Sequence, residues 1–297
     1  MPTDREQPAG GVIHDIGYQH YDGPRLGARY VQRSLFVESL RGAYGLGRSM
    51  RSKIMPMLLL ATMCLPALVI VVVTAVVGAD DLPLGYTEYL FNLQAVVGIY
   101  LAAQAPALVS RDLRHRVVPL YFARPMQRPQ YVQAKLAAMT TALFLLMALP
   151  LLIMFAGAVL AELSFTEQAP DALLGLLGAL LYAVVLAGIG LLIAAFTPRR
   201  GLGVAAVIAV LLVLSGIQSS VMAIAGELGE RTLAGYSGLI SPSSLVDGVL
   251  SGLLGAETVL VEPPGTTGAL VFLAVMVLLV VGCYAALLAR YRRVPTS

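Results

Sequence analysis

The sequence predicts an all-α polytopic membrane protein. It should have six transmembrane helices, both termini in the cytoplasm, an N-terminal amphipathic interfacial helix and a short outer helix before the last span. Three observations carry that prediction. The mean hydropathy is +0.81, with 58% apolar and 12% charged residues, whereas soluble domains carry about 25% charged residues. Several uncharged runs exceed the ~20 residues a helix needs to cross about 30 Å of hydrocarbon. The apolar/polar alternation of a transmembrane barrel, in segments of about ten residues, is not seen.

The spans are placed at 54–77, 89–110, 136–160, 172–196, 204–225 and 268–289, and none contains Asp, Glu, Lys or Arg. A charge at mid-bilayer costs about 2.5–3.5 kcal/mol on insertion scales, so charge-free runs of this length read as membrane-crossing. Residues 1–53 then form a cytoplasmic tail, 54–289 the transmembrane domain and 290–297 a second cytoplasmic tail. No secretory signal peptide is expected, because the polar lead is too long for an n-region and the first apolar run too long for an h-region.

Charge sets the orientation. With the N-terminus inside, 19 of the 20 Lys/Arg are cytoplasmic and only Arg231 is outside; of the 17 acids, 11 are outside. Basic residues near span ends fix topology. Arg48, Arg51 and Lys53 precede the first span, and Arg290, Arg292 and Arg293 follow the last.

Residues 1–26 are polar and irregular. His14, Asp15, His20 and Asp22 could be written as metal ligands, but their spacing matches no known site, and the neighbouring tyrosines and glycines suit a docking or capping tail. Residues 28–48 read as an amphipathic helix, with Val31, Leu35, Leu40 and Tyr44 tending to one side and Arg29, Arg33 and Arg41 on its flank. Such a helix lies in the cytoplasmic interface with arginines at headgroup level, or packs on protein.

Pro66, Pro106 and Pro150 bend their spans, which neighbouring helices must accommodate. Span 172–196 is rich in Gly and Ala, which lets helices approach closely. The polar residues within spans are candidates for a pathway lining: Asn92, Gln94, Tyr100 and Gln104, then Ser215, Gln218 and Ser219. Tyr100/Gln104 and Ser215/Ser219 are each four apart, hence on one helix face. Interhelical hydrogen bonding is the competing reading. Cys64 and Cys283 each lie in a span and read as small apolar residues. In the outer segment 226–267, Ser241-Pro242 has the form of a helix start. From there Leu245/Val246, Val249/Leu250 and Leu253/Leu254 recur every four residues to Gly255. That is a helix too short to span, lying in or dipping into the outer interface.

The chemistry that is missing narrows function. No intramembrane acid, base or histidine offers a proton relay. There is no H-E-x-x-H, no buried Ser/His/Asp set and no phosphate-binding loop. Neither catalysis nor a cofactor of its own is predicted, and active transport would need energy from a partner.

The stretch 111–135 is the largest cytoplasmic piece between two spans, with six Lys/Arg, three prolines and one acid, Asp112. With its flanking topology it resembles the permease subunits of type-2 ABC exporters, including uncharacterised permeases of actinobacterial type. The likeness is strongest from Leu120-Tyr-Phe-Ala-Arg-Pro to Tyr131 and Lys135; Gln127 stands where the family often has Ser or Thr. The phrases His14-Asp-Ile-Gly-Tyr and Tyr21-Asp-Gly-Pro-Arg resemble the same group. The resemblance implies an ATP-driven exporter of an amphipathic or lipid-like compound: drug, antibiotic, lipid or glycan. Two permease subunits, a homodimer or a heterodimer, would sit in the plasma membrane above two ABC ATPase subunits that bind ATP and Mg; nucleic acid has no role. A coupling helix near 111–122 would enter a cleft on the ATPase, using Asp112, Leu113, Arg114, Arg116, Val117, Leu120 and Phe122. The alternatives are a mechanical or regulatory membrane partner of an ABC ATPase, a membrane-embedded enzyme, and a loop whose arginines only touch lipid phosphates.

Overall fold

The computed structural model describes residues 23, 26–47, 49–110, 112, 121, 126–197 and 199–292, and its regular elements are all helices. In chain order they are α1 (Ala28–Ala43), α2 (Met50–Val77), α3 (Tyr86–Asn92), α4 (Gln94–Leu108), α5 (Arg128–Leu160), α6 (Phe165–Phe196), α7 (Arg200–Glu227), α8 (Arg231–Tyr236), α9 (Pro242–Leu254) and α10 (Gly265–Arg292), with a 3-10 turn at Ser237–Leu239. Five of them, α2, α5, α6, α7 and α10, are each long and apolar enough to cross a bilayer. Two bent pairs satisfy the same test jointly: α3 with α4, meeting at 54°, and α8 plus the 3-10 turn with α9, meeting at 116°. The chain is a multi-pass helical membrane protein.

Span 89–110, expected as one helix, is broken at Leu93 (φ −96°, ψ 14°). Asn92, beside the break, is a weak helix former because its short amide competes with the backbone for hydrogen bonds. The other long helices run past the apolar runs that announce them. α5 begins at Arg128 behind a capping box in which the Gln127 side chain accepts from Gln130 and the Gln130 side chain accepts from the Gln127 N–H at 2.9 Å. Hydropathy marks where hydrocarbon begins, whereas caps mark where a helix begins.

α5 and α6 form the centre. Leu143, Leu146, Met147 and Met154 of α5 and Ala179, Ala183, Leu186 and Leu191 of α6 are buried. Glycines of α6 seat its neighbours: a Cβ at Gly178 would lie 2.7 Å from Leu250 Cδ1, and one at Gly190 2.5 Å from Leu101 Cδ1. By contrast α2 buries only Pro56, Met63, Ala67 and Thr74, and α7 only Gly203, Val207, Gln218 and Ala225. Each set falls on one helix face. The remaining faces expose large apolar side chains such as Leu58, Val69, Leu212 and Val213.

α1 is tied to the bundle through the turn that follows it. Tyr44 donates its hydroxyl to the Ala142 carbonyl at 2.7 Å, Tyr100 donates to Ala43 at 3.3 Å, and the two rings pack with centroids 5.8 Å apart. Burial pushes the Tyr44 phenol up to about 12, so it remains a donor across the physiological range. Gly45 makes the turn with φ +68°, and a Cβ there would lie 2.4 Å from the Ser52 carbonyl oxygen.

α9 runs from Pro242 to Leu254 and ends on a left-handed Gly255. It is not a surface helix with one wet side: Pro242 through Leu250 are all buried, including Ser243, Ser244 and Asp247. Asp247 supplies the reason. Its Oδ2 accepts the N–H groups of Leu260 at 2.7 Å, Val261 at 3.2 Å and Val259 at 3.3 Å. These bonds fold the segment after α9 back over its polar side. The Ser241 side chain makes no cap bond and pairs instead with Ser243 Oγ at 3.0 Å.

Candidate functional site

Of the predicted ATPase-contact residues, Leu113, Arg114, Arg116, Val117, Leu120 and Phe122 lie outside the described residues, as does most of the predicted coupling helix. Asp112 is described, and it is the centre of a compact network. Lys135 Nζ lies 2.9 Å from Asp112 Oδ2, with the two side chains only 8% and 18% exposed. Tyr131 donates its hydroxyl to the same oxygen at 2.8 Å. Tyr131 and Lys135 are one helical turn apart on α5, which aims both side chains at one point. The Lys135 ammonium also sits 5.5 Å from the centroid of the Tyr131 ring, a cation–π distance. The Tyr131 ring meets Tyr291 of α10 edge-on at 5.1 Å and Tyr121 at 5.6 Å.

Lys135 has a second acceptor, the Leu108 carbonyl at 3.0 Å. Leu108 ends α4, and the last four carbonyls of a helix have no regular intrahelical partner. The same device recurs at neighbouring helix ends. Ser110 Oγ donates to Ala194 O at 3.0 Å and Arg290 Nε to Ala195 O at 3.3 Å, both in the last turn of α6. Arg128 Nη1 donates to Arg292 O, the last carbonyl of α10, at 3.2 Å. Cations near helix C-termini also complement the helix dipole. The ends of α4, α5, α6 and α10 are thus laced together by side chains that cap one another's carbonyls.

The predicted pathway residues separate into two groups. Tyr100 and Gln104 are buried, and the Tyr100 hydroxyl is engaged with α1, as the interhelical reading has it. Gln218 is also buried, its Nε2 3.8 Å from Met222 Sδ on its own helix. Asn92 and Ser219 are exposed, while Gln94 and Ser215 are half-buried. Asn92 and Gln94 flank the break at Leu93. The structure therefore does not gather the seven residues into one lining. Among the described residues no cluster of His, Cys, Asp and Glu is arranged to hold a metal ion. Cys64 and Cys283 are free thiols. Near the basic helix ends, a groove of about 430 Å³ is lined by Met126, Gln127, Arg128, Pro129, Leu288 and Arg292.

Sequence reasoning missed the Lys135–Asp112–Leu108 junction and Asp247. The signals were present: Tyr131 and Lys135 have helical spacing behind a lone acid, and Asp247 is a single acid inside an apolar segment.

Compared with known proteins, the chain matches no family model and no curated protein.

Proposed function

We propose that this chain is the membrane-spanning permease subunit of an ATP-driven ABC exporter. In this reading six spans cross the plasma membrane: α2, the broken α3–α4, α5, α6, α7 and α10. Both termini are cytoplasmic, and the α8–α9 hairpin is a re-entrant element on the outer side. A second permease subunit completes the pathway, and separate ATPase subunits bind ATP and Mg. The cargo is amphipathic or lipid-like, because the spans offer no charge to pair with a strongly ionic ligand.

The observation that carries the reading is the convergence of Tyr131 and Lys135 on Asp112. These two residues close the motif on which the family resemblance rests, and they fix the first acid of the proposed coupling segment to the start of α5. Two further features support it. Irregular backbone at membrane depth is tolerated only against protein or water, and the α3–α4 break beside Asn92 and Gln94 meets that condition in a pathway between subunits. The thinly buried α2 and α7 leave largely apolar faces, with exposed Ser219 and Ser220 on α7 as hydrogen-bonding groups, for lipid and a second subunit to cover.

Two experiments test the reading. In the assembled complex, Phe122→Asp or Arg116→Asp is expected to abolish stimulated ATP hydrolysis while the protein still inserts. Unchanged hydrolysis and transport would sink the coupling-segment assignment. Purification of the detergent-solubilised chain from its native host should bring an ATPase with it, and its absence would count against the exporter as a whole.

A further inference from the structure

The Lys135 ammonium joins parts of the chain that lie well apart in sequence. One acceptor is the Asp112 carboxylate at 2.9 Å; the other is the Leu108 carbonyl at 3.0 Å, at the end of α4. Lys135 itself belongs to α5, which begins at Arg128. Tyr131, one turn earlier, holds the same carboxylate oxygen at 2.8 Å and packs on Tyr291 of α10. The junction is largely withdrawn from water, so a group that lost its partner there would have little hydration to replace it. An unpaired buried charge is costly, whereas the satisfied network holds one geometry.

We infer that Lys135 and Asp112 form a clamp that makes α4 and α5 move as one body, so that a displacement of segment 111–127 enters both helices together. The transmission half of this inference rests on the exporter reading; the clamp half does not. Lys135, Asp112 and Tyr131 are positioning residues in this account, acting through the helices they join. A connecting segment tethered at only one end would let α4 and α5 respond separately. With both flanking helices tied together, the segment acts on a rigid pair, which Ser110 extends to the end of α6, where Arg290 of α10 also bonds. α7 packs along α4, where a Cβ at Gly203 would lie 2.9 Å from Pro106 Cγ, but among the described residues no side-chain hydrogen bond ties it to the block, and on this inference the relative motion falls between α7 and this block.

The test uses the full chain in nanodiscs with Cys64 and Cys283 replaced by Ser. Spin labels at the exposed positions Ile99 of α4 and Ala137 of α5 report the clamp, and labels at Ala137 and Leu212 of α7 report motion across the block's edge. The variant is Asp112→Asn/Lys135→Met, which removes both charges and leaves neither unpaired. The parent is expected to give one narrow α4–α5 distance that ATP does not change, and an α5–α7 distance that shifts when ATP is added to the complex with its co-purified ATPase. In the variant the α4–α5 distance should broaden or split without nucleotide, and the ATP-driven α5–α7 shift should be lost; Lys135→Met alone, which leaves Asp112 in place, should lose the same shift although the ATPase still binds and hydrolyses. A variant that keeps the narrow α4–α5 distance overturns the clamp. A variant that broadens there yet keeps the full ATP-driven shift overturns the transmission. A parent chain with no ATPase and no nucleotide response defeats the exporter reading and the transmission with it, while the α4–α5 distance alone still decides the clamp.

Discussion

Lys135 and Asp112 form a 2.9 Å ion pair that is also a crossroads, since Lys135 caps the end of α4 and Asp112 accepts from Tyr131. Removing one partner of a buried pair typically costs about 3–5 kcal/mol, while replacing both with neutral groups is often close to neutral. Lys135→Met is therefore expected to lower stability by about 3 kcal/mol, the low end of that range because Asp112 keeps some solvent contact. Asp112→Asn/Lys135→Met should recover most of the loss. Unfolding midpoints of the three proteins in one detergent check this.

Gly45→Ala sets a side chain against backbone. The residue has φ +68°, and its Cβ would lie 2.4 Å from the Ser52 carbonyl oxygen. The left-handed conformation alone costs about 1–2 kcal/mol for a non-glycine residue. The clash adds to that, and relieving it means shifting the α1–α2 turn. A lower unfolding midpoint is expected, together with faster proteolysis between α1 and α2. The same substitution at Gly47 (φ +79°), where a Cβ would meet nothing within 4 Å, should cost less.

Tyr44→Phe removes the hydroxyl that bonds Ala142 but keeps the ring against Tyr100. A typical net hydrogen bond contributes about 1 kcal/mol, so a loss of that order is expected. Tyr44→Ala also forfeits the ring packing and should cost roughly 3 kcal/mol or more, as large-to-small aromatic changes do in cores. Equal effects from the two substitutions would show that the hydroxyl, not the ring, holds α1.

Asp247→Ala would leave three backbone N–H groups without their acceptor, at about 1–3 kcal/mol for each that stays buried. The amides of Leu260 and Val261 should lose their protection from hydrogen exchange, while amides in the middle of α5 and α6 keep theirs. Asp247→Asn retains one carbonyl oxygen and should fall between the two.

The proposed orientation is open to direct labelling in intact cells. A cysteine at Glu257, in a protein lacking Cys64 and Cys283, should react with an impermeant maleimide from outside. A cysteine at Arg292 should react only after permeabilisation. The reverse pattern would invert the topology.

The fold was legible where composition dominates. Long charge-free runs announced α2, α5, α6, α7 and α10, because excluding charge from hydrocarbon acts on a whole segment at once. The break at Leu93 was hidden because 89–110 carries no charge, and an Asn and a Gln inside such a run are more often tolerated than disruptive. The burial of α9 was hidden for a different reason. Its Leu/Val stripe is visible as a local period, but the partners of its polar side, Val259 to Val261, are backbone amides, which carry no residue signature. The site was legible in part: the stretch 111–135 stood out by charge, yet which of its residues meet depends on α4 and α5 ending side by side. Lys135 reads as one more arginine-like charge until the Leu108 carbonyl is placed beside it.

The Asp247 arrangement bears on how the chain reaches its fold. A carboxylate arriving in a mostly apolar hairpin would ordinarily have to keep its water, and the hairpin would stay at the surface. Here the acceptor and its three donors are separated by only 12 to 14 positions along the chain. Loops of that length close in about 10–100 ns, long before a neighbouring helix can be recruited. The hairpin thus provides a hydration shell made of peptide, drawn from its own stretch of chain and needing nothing from α10. A charge that carries its own solvent can be buried early, and the segment that follows is aimed at the bundle.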